Sequence, residues 1–141
     1  MKRVDQMIVS VDKGDCTRAC LASILELNIA EVPNFIEKGN RWFDDFWKFI
    51  KTYGYQYYGV GWLVGPERPH GHILKESPNI DGYVIASVPS RTFEIVGHSV
   101  VMDLDGVVIH DPNPNKLWQD VNVVETGELQ HWMMIGPIES I

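Results

Sequence analysis

The sequence predicts an α+β domain, with helices first and an antiparallel sheet afterwards. Three observations carry this. From Cys16 to about Leu27 the apolar residues Cys16, Ala19, Cys20, Ile24 and Leu27 recur at helical spacing, with Leu21 and Leu25 beside them and Arg18 and Glu26 towards the other side. From Asn40 to about Tyr53 a second helical run carries Trp42, Phe43, Phe46, Trp47, Phe49 and Ile50. Beyond Tyr55 the pattern changes to short runs of β-branched and aromatic residues, two of them joined by Asp105-Gly106, a strong hairpin signal.

In chain order, Met7 to Val11 reads as a short strand or extended lead-in, and Asp12 to Asp15 as a turn in which either aspartate is available to cap the first helix. Asn28 is the expected end of that helix, and E-V-P-N-F is a break. Lys48 and Lys51 suit the C-terminal end of the second helix, which Gly54 closes. Tyr55 to Val64 is a candidate strand. Gly65 to Asn79, with Pro66, Pro69 and Pro78, is a loop. Tyr83 to Val88, Ser99 to Met102, Val107 to Ile109 and Leu129 to Ile135 are the remaining strands.

A chain of 141 residues with 45% hydrophobic and 22% charged residues makes one folded domain, 1–141. No apolar stretch approaches the ~18 residues that a membrane span needs. No signal-peptide core follows M-K-R-V-D-Q, so the expected compartment is the cytoplasm, with no membrane partner. The net charge of −7 argues against a nucleic-acid partner. The two cysteines, four apart on one helix face, are placed badly for a mutual disulfide and read as reduced thiols. No cofactor is expected. His70-Gly-His72 lacks the further ligands of a metal site, and Gly59, Gly61 and Gly65 are not followed by the Lys-Ser/Thr of a phosphate loop.

The chemistry concentrates elsewhere. Cys16 stands where a turn, G-D-C, opens the first helix, so its sulfur lies where unpaired N–H groups and the helix dipole favour the thiolate. Cys20 is a full turn deeper. The later G-H-S-V-V-M-D-L-D-G-V-V-I-H-D-P offers His98 and Asp111. With a two-residue loop at Asp105-Gly106 they are a diagonal pair; with a four-residue loop they lie directly opposite. In both registers His98, Val100, Met102, Ile109 and Asp111 share one face, whereas an odd loop needs a compensating bulge. A thiol, a base and an orienter are the parts of a nucleophilic triad. Each residue also has a plain structural reading: Cys16 as a small core residue, His98 as a satisfied core histidine, and Asp111 as the turn-former of D-P-N-P. His110 alternates away from His98 and reads as a surface residue.

D-C-x-x-A-C-L-A-S-I resembles the nucleophile motif of papain-like cysteine peptidases of the bacteriocin-leader type, which cut after a double glycine. G-H-S-V-V, then a hairpin and D-P, resembles that family's histidine strand and aspartate turn. The resemblance implies a papain-like fold, with an N-terminal helix carrying the cysteine packed on an antiparallel sheet carrying His and Asp. It implies Cys16 as nucleophile, His98 as base, Asp111 as orienter and Gln6 as an oxyanion-hole donor. Thr17 stands where the family has glycine, and V-S-V-D-K-G must loop out to bring Gln6 near Cys16. The expected function is a cysteine peptidase acting on a peptide or protein through a thioester. The same thiol serves a deamidase or acyltransferase, and a catalytically silent binding module on the same fold is the rival of another class.

Overall fold

The computed structural model describes residues 1–9, 15–35, 42–62, 83–93 and 96–138. Helix α1 (Cys16–Leu25) begins at the cysteine itself. It stops short of the expected end near Asn28, because Glu26 turns left-handed at φ 57° and sends its N–H back to Ala22 O. Asn28 instead precedes a 3-10 turn, Ile29–Glu31. Asp15 holds the cap position, but its side chain caps no helix N–H.

Helix α1 is covered almost all round, with Thr17 and Ala19 to Ile24 buried. One side packs on the sheet. Against the helix lie the first residues of the chain: Lys2 N–H donates to Ser23 O at 3.0 Å and Val4 N–H to Ser23 Oγ at 2.9 Å. Met1 to Val9 is therefore a strap along α1. Its last three residues form no strand, because the N–H groups of Met7 and Ile8 are taken by the Asp15 carboxylate, at 3.3 and 2.9 Å. Asp12 and the 65–79 loop with His70 and His72 lie outside the described residues.

Helix α2 (Trp42–Thr52) is one-faced: Phe46 and Ile50 are buried, while Phe43 and Trp47 are exposed. The aromatic run is thus only half core. Gly54 follows at φ 77°, a conformation that costs glycine little.

The sheet contains β1 (Tyr55–Trp62), β2 (Tyr83–Pro89), β3 (Gly97–Met102), β4 (Val108–His110) and β5 (His131–Pro137). Their spatial order is β1-β5-β2-β3-β4 and every neighbouring pair is antiparallel. Strand alternation divides the interior in two. Val84, Val100, Met102 and Met134 face Trp118 and Leu129 from the later loops. Ile85, Val101 and Ile135 face α1 and α2 through Leu21, Ile24 and Phe46. With both faces covered, burying each large apolar side chain contributes on the order of 2 kcal/mol.

The β3–β4 hairpin departs from the expected registers in an informative way. Its loop has three residues, with Asp103 N–H bonded to Val107 O at 3.0 Å and Gly106 at φ 93°. A side chain at Gly106 would collide with Val124. The odd loop is compensated by a bulge: Met102 pairs with Val108 and Val101 with His110. Ile109 is the extra residue and packs on the helix side, with Val101, rather than on the face of Val100 and Met102 as expected. Past the bulge the strands regain the register of the two-residue loop. Asp111, one residue beyond β4, is thereby left diagonal to His98.

Candidate active site

Cys16 is the first residue of α1, a free thiol and partly exposed. Ser99 N–H donates to its sulfur at 3.4 Å. The His98 imidazole lies near enough to the thiol to pull its pKa down. The ring's Nε2 is engaged by Asp111 Oδ1 at 2.7 Å, which leaves Nδ1 for the sulfur. Asp111 is held by more than the histidine. Its Oδ1 also accepts Asn113 N–H at 3.0 Å, and its Oδ2 accepts Trp118 N–H at 2.9 Å. The Asn113 contact is the aspartate turn of D-P-N-P, so Asp111 forms the turn and orients the ring at once. Trp118 is locked in turn: its Nε1–H reaches Pro89 O at 3.1 Å, and the Arg91 guanidinium lies 3.6 Å from its ring centre.

These contacts set the protonation states. Burial pushes the Cys16 thiol up, but the hydrogen bond and positive charge of His98, with the Ser99 contacts, outweigh it and leave the pKa below the ordinary thiol value. Burial disfavours the imidazolium of His98, yet the hydrogen bonds to Asp111 and Cys16 raise its pKa to about 9. For Asp111, burial is likewise overcome by His98 and by the N–H groups of Trp118 and Asn113, which keep the carboxyl below its usual range. The arrangement favours a thiolate–imidazolium pair backed by a carboxylate: a nucleophile with a proton donor beside it. Cys20 has the opposite environment. It is fully buried, and burial, Cys16 and Asp111 all push its pKa well up.

Gln6 is brought to the same neighbourhood. Its N–H bonds Pro112 O at 2.9 Å, next to Asp111. Its Nε2 donates to Ile8 O at 2.8 Å, the carbonyl that also receives Asp15 N–H. Ile8 and Asp15 are thus bonded to each other in both directions. Gln6 Oε1 is buried with no partner. Thr17 is buried and pairs its hydroxyl with Ser99 Oγ at 2.8 Å. This ties the helix to the strand on either side of the Cys16 sulfur.

His110 differs from the sequence expectation. His110 is not on the surface: it is 1% exposed, and its Nε2 donates to Val4 O at 2.7 Å. Strand alternation does turn it away from His98, but that side is roofed by the N-terminal strap. No signal in the sequence points to the backbone donors at Ser99, Asn113 and Trp118, since any residue but proline supplies an N–H. Among the described residues no group of three His, Cys, Asp or Glu side chains is placed to hold a metal, and no helix is long and apolar enough to cross a membrane. Comparison of the chain with protein-family models, curated proteins and solved structures found no match.

Proposed function

We propose that the chain is a cysteine-dependent hydrolase of papain-like fold that cleaves a peptide or amide bond through a thioester. The observation that carries this is the 2.7 Å His98–Asp111 pair beside the Cys16 thiol, with the thiol at a helix start and the carboxylate fixed by two further N–H groups. A core cysteine, a core histidine and a turn aspartate have no reason to align in this order.

In the proposed reaction the Cys16 thiolate attacks the acyl carbon. In this reading the first-turn N–H of Cys16 and the second N–H of the Gln6 amide serve as oxyanion donors, each such donor being worth ~3 kcal/mol in other enzymes. His98 then protonates the leaving amine, and water attacks the thioester with His98 as base. Asp111 keeps the proton on Nε2 and stabilises the imidazolium. Two free thiols on α1 suit a reducing compartment such as the cytoplasm.

The test is the rate of Cys16 alkylation by iodoacetamide against pH, read by intact mass, together with turnover of a peptide library. The expected result is selective labelling of Cys16 at mildly acidic pH, and peptide cleavage that Cys16→Ala abolishes. Labelling only near the ordinary thiol pKa of ~8.5 overturns the reading. A labelled thiol without cleavage points to the deamidase or acyltransferase use of the same thioester.

A further inference from the structure

The mechanism leaves the buried imidazole of His110 unused. His110 closes the contact between the N-terminal strap and the turn that begins at Asp111. Its Nε2 donates to Val4 O, which can only accept, so the neutral ring has its lone pair on Nδ1. That nitrogen is buried and has no partner. A second proton would have to sit on Nδ1, where nothing accepts it and water does not reach.

We infer that His110 is a positioning residue: its neutral imidazole staples the strap to the Asp111 turn, and uptake of a proton frees the strap together with Gln6. The strap carries Gln6, and after Val4 it is held by the Asp5–Lys116 ion pair and by Gln6 N–H on Pro112 O. The strap and turn also face each other across a surface cleft of about 480 Å³. Arg3 and Asp5 line it from the strap, Lys116, Gln119 and Asp120 from the turn, with His110 in its wall.

The charges around the ring oppose one another. Asp5 Oδ1 is 3.7 Å from Nε2 and would welcome an imidazolium, but it is already paired with Lys116. Arg3 and Lys116 disfavour the extra charge, and Asp120 lies further along the cleft wall. Burial is the largest effect, and it lowers the His110 pKa from its ordinary 6.5. The sign follows. Above 6.5 the ring is neutral whether the strap is docked or free. Below 6.5 the His110 ring binds the proton when the strap is free and resists it when the strap is docked, so acidification favours release.

What release does to catalysis rests on the hydrolase reading; release itself does not, and the two are measured separately. Hydrogen–deuterium exchange of peptides covering Met1 to Val9, corrected for intrinsic rates, reports docking. From about pH 7.5 to about pH 5 the strap of the wild type should exchange faster by up to ~30-fold, the limit set by a free histidine of ordinary pKa. His110→Gln offers an N–H to Val4 O without titrating, so its protection should be independent of pH. His110→Phe, which offers no N–H to Val4 O, should lower the strap's protection at every pH. A wild-type strap whose protection does not change with pH overturns the inference. So does a His110→Gln strap that follows the wild-type profile. Ordinary alkylation of Cys16 would sink the hydrolase reading and leave the exchange result standing.

Discussion

His98 and His110 sit on adjacent antiparallel strands, both nearly buried and both close to Asp111, yet burial has opposite outcomes for them. For each ring, desolvation is the largest single influence and favours the neutral form. The His98 ring answers it with the Asp111 carboxylate on Nε2 and the Cys16 thiol nearby, and holds its proton up to about 9. The His110 ring meets a carbonyl on Nε2 and nothing on Nδ1, and its pKa falls. What is buried beside a histidine, and not burial itself, decides whether it is a charged participant or a neutral strut.

The largest expected effect comes from removing the charged ring. His98→Ala should move the pH profile of Cys16 alkylation up to that of a free thiol near ~8.5. On any substrate, Cys16→Ala, His98→Ala and the double variant should be equally inactive, losing at least ~10³-fold, because both residues serve one step. Alkylation curves of wild type and His98→Ala that superimpose would show that the imidazole does not act on the sulfur.

Asp111→Asn tests the other side of the His98 ring and should cost stability as well as rate. The carboxylate accepts three N–H donors, from His98, Asn113 and Trp118. Asparagine has one oxygen, so its NH₂ must confront a buried donor whichever way it turns. The penalty should be about 1–3 kcal/mol, read as a lower urea midpoint at pH 7. The rate loss should be smaller than for His98→Ala, since an acceptor can still face the ring. An unchanged midpoint would mean that the Asp111 turn relaxes to release one donor.

A third measurement separates the two histidines by the direction of pH. The folded-state pKa of His98 is raised, so its contribution to stability is full below 6.5 and fades as pH rises through about 9. The folded-state pKa of His110 is lowered, so its contribution is present above 6.5 and is lost on acidification. Urea midpoints followed with pH should therefore lose their alkaline decline in His98→Ala and soften their acid decline in His110→Gln. Asp111 adds its own acid loss, but around the carboxylate range, well below that of a histidine. Exchanged behaviour of the two variants would refute the assignment of charge.

How much of this was readable in the sequence follows from the range of each interaction. The start of α1 at Cys16 was local, written in a turn followed by helical apolar spacing. The pairing of His98 with Asp111 needed only the two-residue period and a guess at the turn. Even there a three-residue loop and a bulge at Ile109 cancelled, returning Asp111 to its diagonal place by a route the pattern does not encode. The burial of His110 was invisible because its cover comes from Val4, more than a hundred residues earlier, through a backbone carbonyl. The exit of α1 was misplaced for a similar reason: a left-handed Glu26 ends it, where Asn28 carried the local signal.

The smallest effect should come from Cys20, which repeats the contrast of the two histidines one helical turn inside α1. Cys16 and Cys20 share a residue type, a helix and a face, but Cys20 has no imidazole and no solvent. Burial holds it as a thiol, and a thiolate at Cys16 would raise its pKa further. It packs among Leu21, Ile24 and Ile85 on the helix side of the sheet. Cys20→Ala removes one buried sulfur and no hydrogen bond of the Cys16–His98–Asp111 series, so it should cost about 1 kcal/mol in urea unfolding. The alkylation rate of Cys16 and its pH profile should match wild type. Slower labelling of Cys16 in this variant would mean that the helix start depends on the packing one turn deeper. Faster labelling of Cys20 than of Cys16 in the wild type would move the nucleophile to the wrong side of the comparison.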